Sequence, residues 1–262
     1  MTGSTARQTP KLQKNLKMPI FENYFYLIYG VSFISAIISA SVGFLGGTML
    51  LAVMAQIFQM EILIPLHAII QLSSNATRAF VLRKNIDWKI GREAIIGAIL
   101  GGVVGCFYLT PLPENWFNFL LGFFIILITI FPKFSANFYF RGKWFVVGFI
   151  SCSIGLFVGA IGTLVGSLLL AEKLEKKPMI STQAVVQSAI HLAKIIVFFF
   201  LGFSLATWSL LIFGSVVAAY LGTLMGAKLL DLISEKTFRL IATTLVLMLA
   251  LRLILVGALG MF

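Results

Sequence analysis

Carboxylates are scarce in this chain: nine Asp and Glu against twenty Lys and Arg in 262 residues. All nine (Glu22, Glu61, Asp87, Glu93, Glu114, Glu172, Glu175, Asp231, Glu235) fall in the tail, in loops or at the ends of apolar runs. An acid–base pair within an apolar run is thereby excluded, and so is a fixed counter-charge there. Histidine and cysteine are equally sparse, with His67, His191, Cys106 and Cys152 only. The cysteines sit in apolar stretches without metal-ligand spacing and read as small buried hydrophobes. Two separated histidines offer neither a metal centre nor a paired nucleophile and base, so an enzyme is not expected. Glycine-rich stretches occur, but none ends in the Lys-Ser/Thr of a phosphate loop. No ATP site and no cofactor are therefore expected.

Apolar residues are abundant. They make up 60% of the chain, charged residues 11%, and mean hydropathy is +1.02. A bilayer core of about 30 Å takes roughly 20 apolar residues per helix, and about eight such stretches can be counted. Strands are excluded, because only a closed barrel hides their backbone in lipid and its alternating pattern is absent. The fold class is an all-α polytopic membrane protein of about eight transmembrane helices. The net charge of +11 lies mainly in the tail and loops, where it sets topology and gives no indication of nucleic acid.

Residues 1–20 form a basic tail (Arg7, Lys11, Lys14, Lys17) expected in the cytosol. Residues 24–58 are apolar but too long for one straight crossing, and are interrupted around Gly43, Gly46, Gly47 and Thr48. A polar-striped span follows over 62–82, then a basic loop with Arg83, Lys84, Lys89 and Arg92, also expected in the cytosol. The loop 110–115 lacks cations and is placed outside. A shift of 116 positions lays Gly43 on Gly159, Gly46 on Gly162 and Gln71 on Gln187. Asn75 then falls on His191, Arg78 on Lys194 and His67 on Gln183. The plan is thus a first transmembrane repeat (21–132) and a second (133–262), each opened by a Gly-broken helix. Whether the repeats run parallel or inverted stays open, because Lys173, Lys176 and Lys177 fit the positive-inside tendency only if they are inverted.

Spacing of i, i+4 and i+7 puts amide, amide-or-imidazole and cation on one helix face. Lys194 stands about twelve residues into its span. A cation there costs about 2.5–3.5 kcal/mol on insertion scales, and no carboxylate offsets it, so a mobile anion is the natural partner; snorkelling, or a hydrogen bond from the lysine to helix carbonyls, is the alternative. Gln71, Asn75, Gln187 and His191 on the same faces supply donors that can replace an oxyanion's hydration shell. The breaks, with Gly46, Gly47 and Thr48 in one half and Gly162 and Thr163 in the other, would add backbone N–H groups at half-helix starts. His191 could also carry a proton. Packing glue accounts equally well for any single amide or glycine.

A Gly-rich break, the helix LHAIIQLSSNATRAFVLRKNIDW, a glycine-patterned span, and then the same plan again resemble the sulfite exporter TauE/SafE family over residues 39–253. The resemblance implies a permease of the cell membrane, usually bacterial, for sulfite, sulfoacetate or other sulfonates. The expected function is secondary transport of a small anion bound by Gln71, Asn75, Arg78, Gln187, His191, Lys194, Gly46, Gly47, Thr48, Gly162 and Thr163. A passive anion channel and a non-transporting assembly subunit are the alternatives. The expected partners are the anion, the lipid bilayer and a co-transported proton or cation. Oligomeric state is not legible.

Overall fold

Asp87 shows how the sequence punctuates its helices. Its carboxylate accepts from the backbone N–H groups of Lys89 (3.0 Å) and Ile90 (3.2 Å), an N-cap that opens a helix at Trp88. In this computed structural model, residues 23–42, 45–109, 112–130, 140–159, 161–172, 174–229 and 235–260 are described. The basic tail and Gly43 lie outside them. Among the described residues ten α-helices are formed: α1 (Phe25–Val42), α2 (Leu45–Met54), α3 (Met60–Val81), α4 (Trp88–Tyr108), α5 (Glu114–Ile130), α6 (Lys143–Val158), α7 (Gly162–Ala171), α8 (Lys176–Phe200), α9 (Ser209–Leu229) and α10 (Glu235–Leu259). No strand occurs among the described residues.

Both Gly-broken segments fold back on themselves. A methyl group at Gly46 would overlap the Ser35 carbonyl and the Ser39 hydroxyl, so α2 returns alongside α1. In the second half Lys143, at the start of α6, forms a 2.9 Å ion pair with Glu172, just past the end of α7. With ten residues each, α2 and α7 rise about 15 Å, half a bilayer. Among the described residues three segments are long and apolar enough to cross a membrane, namely Trp88–Tyr108, Lys176–Phe200 and Ala206–Leu229. The helix α3 has the length but gives one face to its polar stripe.

Helix directions follow from the contacts. The Asp87 N–H donates to Thr182 Oγ1 and Gly102 abuts Ala193, so α4 and α8 run parallel. The chain leaving α3 is thus at the start of α8, while His67, early in α3, meets His191 late in α8. Those two helices are antiparallel. Asn115 donates to the Gly260 carbonyl and Gly122 abuts Ala250, so α5 and α10 are antiparallel as well. Tyr29 donates to the Leu210 carbonyl (3.0 Å), and Gly222 and Gly226 abut Phe33 and Ile37, so α1 and α9 are parallel.

One end of the molecule consequently gathers Arg83, Lys84, Arg92, Arg141, Lys143, Lys176 and Lys177. The other holds Gln59, Glu61 and Glu114, and its connecting loops (55–59, 109–113, 201–208) contain no Lys or Arg. Tyr29 and Leu210 lie toward this second end, so α1 starts there. That corrects the expectation that the first span starts on the same side as the Arg83–Arg92 loop: the return of α2 alongside α1 adds a reversal between them.

The glycines of α4 let it press against α6, with Gly97 on Phe145, Gly101 on Phe149 and Gly105 on Ser153. Small residues permit such backbone approach where lipid supplies no hydrophobic drive. The same device brings α9 to α1. Outward faces are apolar, as with Ile96, Val103 and Phe107 on α4 and Phe213 and Tyr220 on α9, the surface expected of a chain solvated by lipid. The polar stripes of α3 and α8 are turned inward.

Candidate functional site

Where α3 and α8 cross, their stripes enclose a small polar cavity. From α3 it is lined by His67, Gln71, Asn75 and Arg78, and from α8 by Gln183, Gln187 and His191. Ser39 of α1 joins them, with Gly47 and Thr48 from the first turn of α2 and Ile161 and Gly162 from the start of α7. The space open to a water's centre is about 20 Å³, room for about one water. A four-atom oxyanion needs the walls to move apart.

Two half-helices therefore point their N-termini at one place. Their first N–H groups have no partner within the helix and carry the positive end of its dipole. Each is braced from a stripe: His67 Nε2 lies 2.9 Å from the Gly47 carbonyl, and Gln183 Nε2 donates to the Gly162 carbonyl at 2.8 Å. Arg78, 2% exposed, donates to the Ser39 carbonyl and to Asn75 Oδ1. Asn75 Nδ2 in turn donates to the Gln71 carbonyl at 2.7 Å.

Several polar atoms in this wall are buried without a hydrogen-bond partner: Thr48 Oγ1, His67 Nδ1, Gln183 Oε1, Gln187 Nε2 and His191 Nδ1. Each such group costs about 1–3 kcal/mol if it stays dry and unmet. Their concentration on one cavity, donors and acceptors together and with no carboxylate among its described lining residues, is the chemistry of a site that receives a polar guest.

Of the residues singled out from sequence, Gly47, Thr48, Gln71, Asn75, Arg78, Gly162, Gln187 and His191 line the cavity. Gly46 is instead packed against α1, and Thr163 is buried one residue beyond the lining. Lys194 is fully buried, but its Nζ donates to the Gly159 carbonyl at 2.6 Å and does not line the cavity. Gly159 closes α6 with φ of 81°, a conformation glycine adopts at little cost. The charge of Lys194 is thus set against a helix C-terminus, the negative end of the dipole. His67 and Gln183, which are not among those residues, also line the cavity. The signal for them was present, since each stands four residues before the Gln of its stripe and the 116-position shift superposes them.

A lipid-solvated helical fold, with broken half-helices meeting at a buried polar cavity, defines a class: polytopic membrane transport proteins. The family model for sulfite exporter TauE/SafE matches residues 28–253, and the chain belongs to that family of membrane transporters. No curated protein and no solved structure matches the chain.

Proposed function

We propose that this chain is a secondary transporter of small sulfur oxyanions, sulfite or a sulfonate such as sulfoacetate, bound in the cavity between α3 and α8. The observation that carries the reading is the cavity wall: two half-helix N-termini, Arg78 and the unpartnered Gln187 amide converge there without a carboxylate. Donors of this kind replace an anion's hydration shell, and an anion offsets their dipoles and charge.

Two inverted repeats, 21–132 and 133–262, account for the packing. Helices α3 and α8, matched by the 116-position shift, cross antiparallel, and the corresponding pair α5 and α10 does the same. An axis lying in the membrane plane relates such pairs. Gly101 on Phe149 and Gly105 on Ser153 then match Gly222 on Phe33 and Gly226 on Ile37, each a contact between one repeat and the other. Inverted repeats supply two related conformations with the site open to opposite sides. The end carrying Arg83, Lys84, Lys176 and Lys177 is the cytosolic one by the positive-inside tendency, with the chain in the cell membrane.

The test is counterflow in proteoliposomes: labelled sulfite or sulfoacetate outside, the unlabelled anion inside, and chloride-loaded vesicles as control. Saturable exchange supports the reading. Linear, non-saturating flux would replace it with a channel, and no flux of either anion would remove the assigned substrate class.

A further inference from the structure

The cavity has two unlike ends. Under the 116-position shift His67 corresponds to Gln183 and His191 to Asn75. Because α3 and α8 run antiparallel, the two histidines of the chain meet, with ring centroids 5.7 Å apart and planes at 70°. Their amide counterparts line the same cavity, beside Arg78. Permanent charge thus lines the amide end. At the imidazole end the matching cation, Lys194, is turned to the Gly159 carbonyl and is absent from the wall. Among the described residues lining that end, only the imidazoles can take up a charge.

The hydrogen bonding leaves room for an added proton. A carbonyl only accepts, so the 2.9 Å contact with Gly47 places a hydrogen on His67 Nε2. In the neutral ring Nδ1 is then a bare acceptor. Nδ1 of His67 and Nδ1 of His191 are both buried without a partner. The charged and titratable groups around the pair are Arg78 on α3, Lys194 on α8 and, beside Lys194, Cys152 on α6. From α1, α2, α4, α7 and α9 no Asp, Glu, Lys, Arg or Tyr reaches the cavity wall. An anion in the cavity favours a positive charge placed beside it.

We infer that His67 and His191 form a proton-binding site that fills when an anion occupies the cavity, so that the chain carries a proton together with its anion. The inference rests on the anion-transport reading and adds the coupled ion. The experiment adds sulfoacetate, fully ionised near neutral pH, to purified protein in weakly buffered detergent solution and reads proton uptake with a pH dye. Bound anion is measured in parallel.

Wild type is expected to take up close to one proton per anion bound at saturation, with anion affinity weakening by up to about tenfold per pH unit above the pair's titration. In His67→Gln/His191→Asn, which copies the side chains of the other repeat, the ratio falls toward zero at saturating anion, whatever the affinity. Anion binding by wild type without proton uptake overturns the coupling while the transport reading stands, and needs no variant to fold. An unchanged ratio in the folded variant overturns the site. Failure of wild type to bind the anion removes both.

Discussion

Lys194 Nζ donates to the carbonyl oxygen of Gly159 at 2.6 Å, across 35 positions of sequence, and so ties the middle of α8 to the end of α6. A lysine in an apolar span invites the reading of a counter-ion for substrate, but here its described partner is backbone. Lys194→Met is therefore expected to act on stability first. The carbonyl and the helix end lose their donor, at about 1–3 kcal/mol, and thermal unfolding in detergent falls accordingly. The added stabilisation given by saturating sulfoacetate should persist in the variant. A normal melting temperature with all ligand stabilisation lost would instead make Lys194 a direct anion ligand.

Much of this was legible from letters. The stripe spacing and the lack of internal carboxylates lead to α3, α8 and a polar cavity between them. The fold-backs were not legible, because a Gly-rich break in an apolar run reads the same whether the chain continues or returns. What decides is contact, such as Gly46 against Ser35. That reversal also misdirected the side assigned to the start of α1, since the tail's basic residues suggest the same side as Arg83 and Lys84. A helix carbonyl was the alternative partner for Lys194, but which carbonyl it meets has no letter of its own in the sequence.

The gathering of cations at one end yields a topology prediction. Cysteines placed at Lys84 and Lys177 of a chain lacking Cys106 and Cys152 should react with impermeant maleimide only after cells are opened. A cysteine at Asn115 should react in intact cells, since Asn115 sits at the opposite end with Gly260. Lys84 and Lys177 labelling from opposite sides would refute the antiparallel relation of α3 and α8.

The glycine contacts predict a graded steric series. A methyl group at Gly101 would overlap the Phe149 carbonyl, and one at Gly222 the Phe33 carbonyl, whereas Gly30 has open space around its Cβ position. Gly101→Ala and Gly222→Ala are each expected to cost about 1–3 kcal/mol through forced separation of the backbones. Gly30→Ala should be neutral or slightly stabilising, as alanine favours helix. Unfolding in a denaturant series, with all three variants in the same detergent, reads the difference.

Gln187 gives the cleanest separation of binding from folding. Its Nε2 is buried without a protein partner and lines the cavity midway along the α8 stripe. Gln187→Leu keeps nearly the same volume and removes a donor that nothing in the protein uses, so stability should hold or rise. If the amide is kept to meet the anion, its loss leaves one anion oxygen without its hydrogen bond, worth about 1.5–3 kcal/mol for a bond to a charged group. That corresponds to roughly a 10- to 150-fold rise in the dissociation constant. Titration calorimetry with sulfoacetate on wild type and variant measures it directly. Unchanged affinity in a stable Gln187→Leu protein would place the anion elsewhere in the cavity, toward Arg78 and Ser39, and would assign the unmet amide to a bound water.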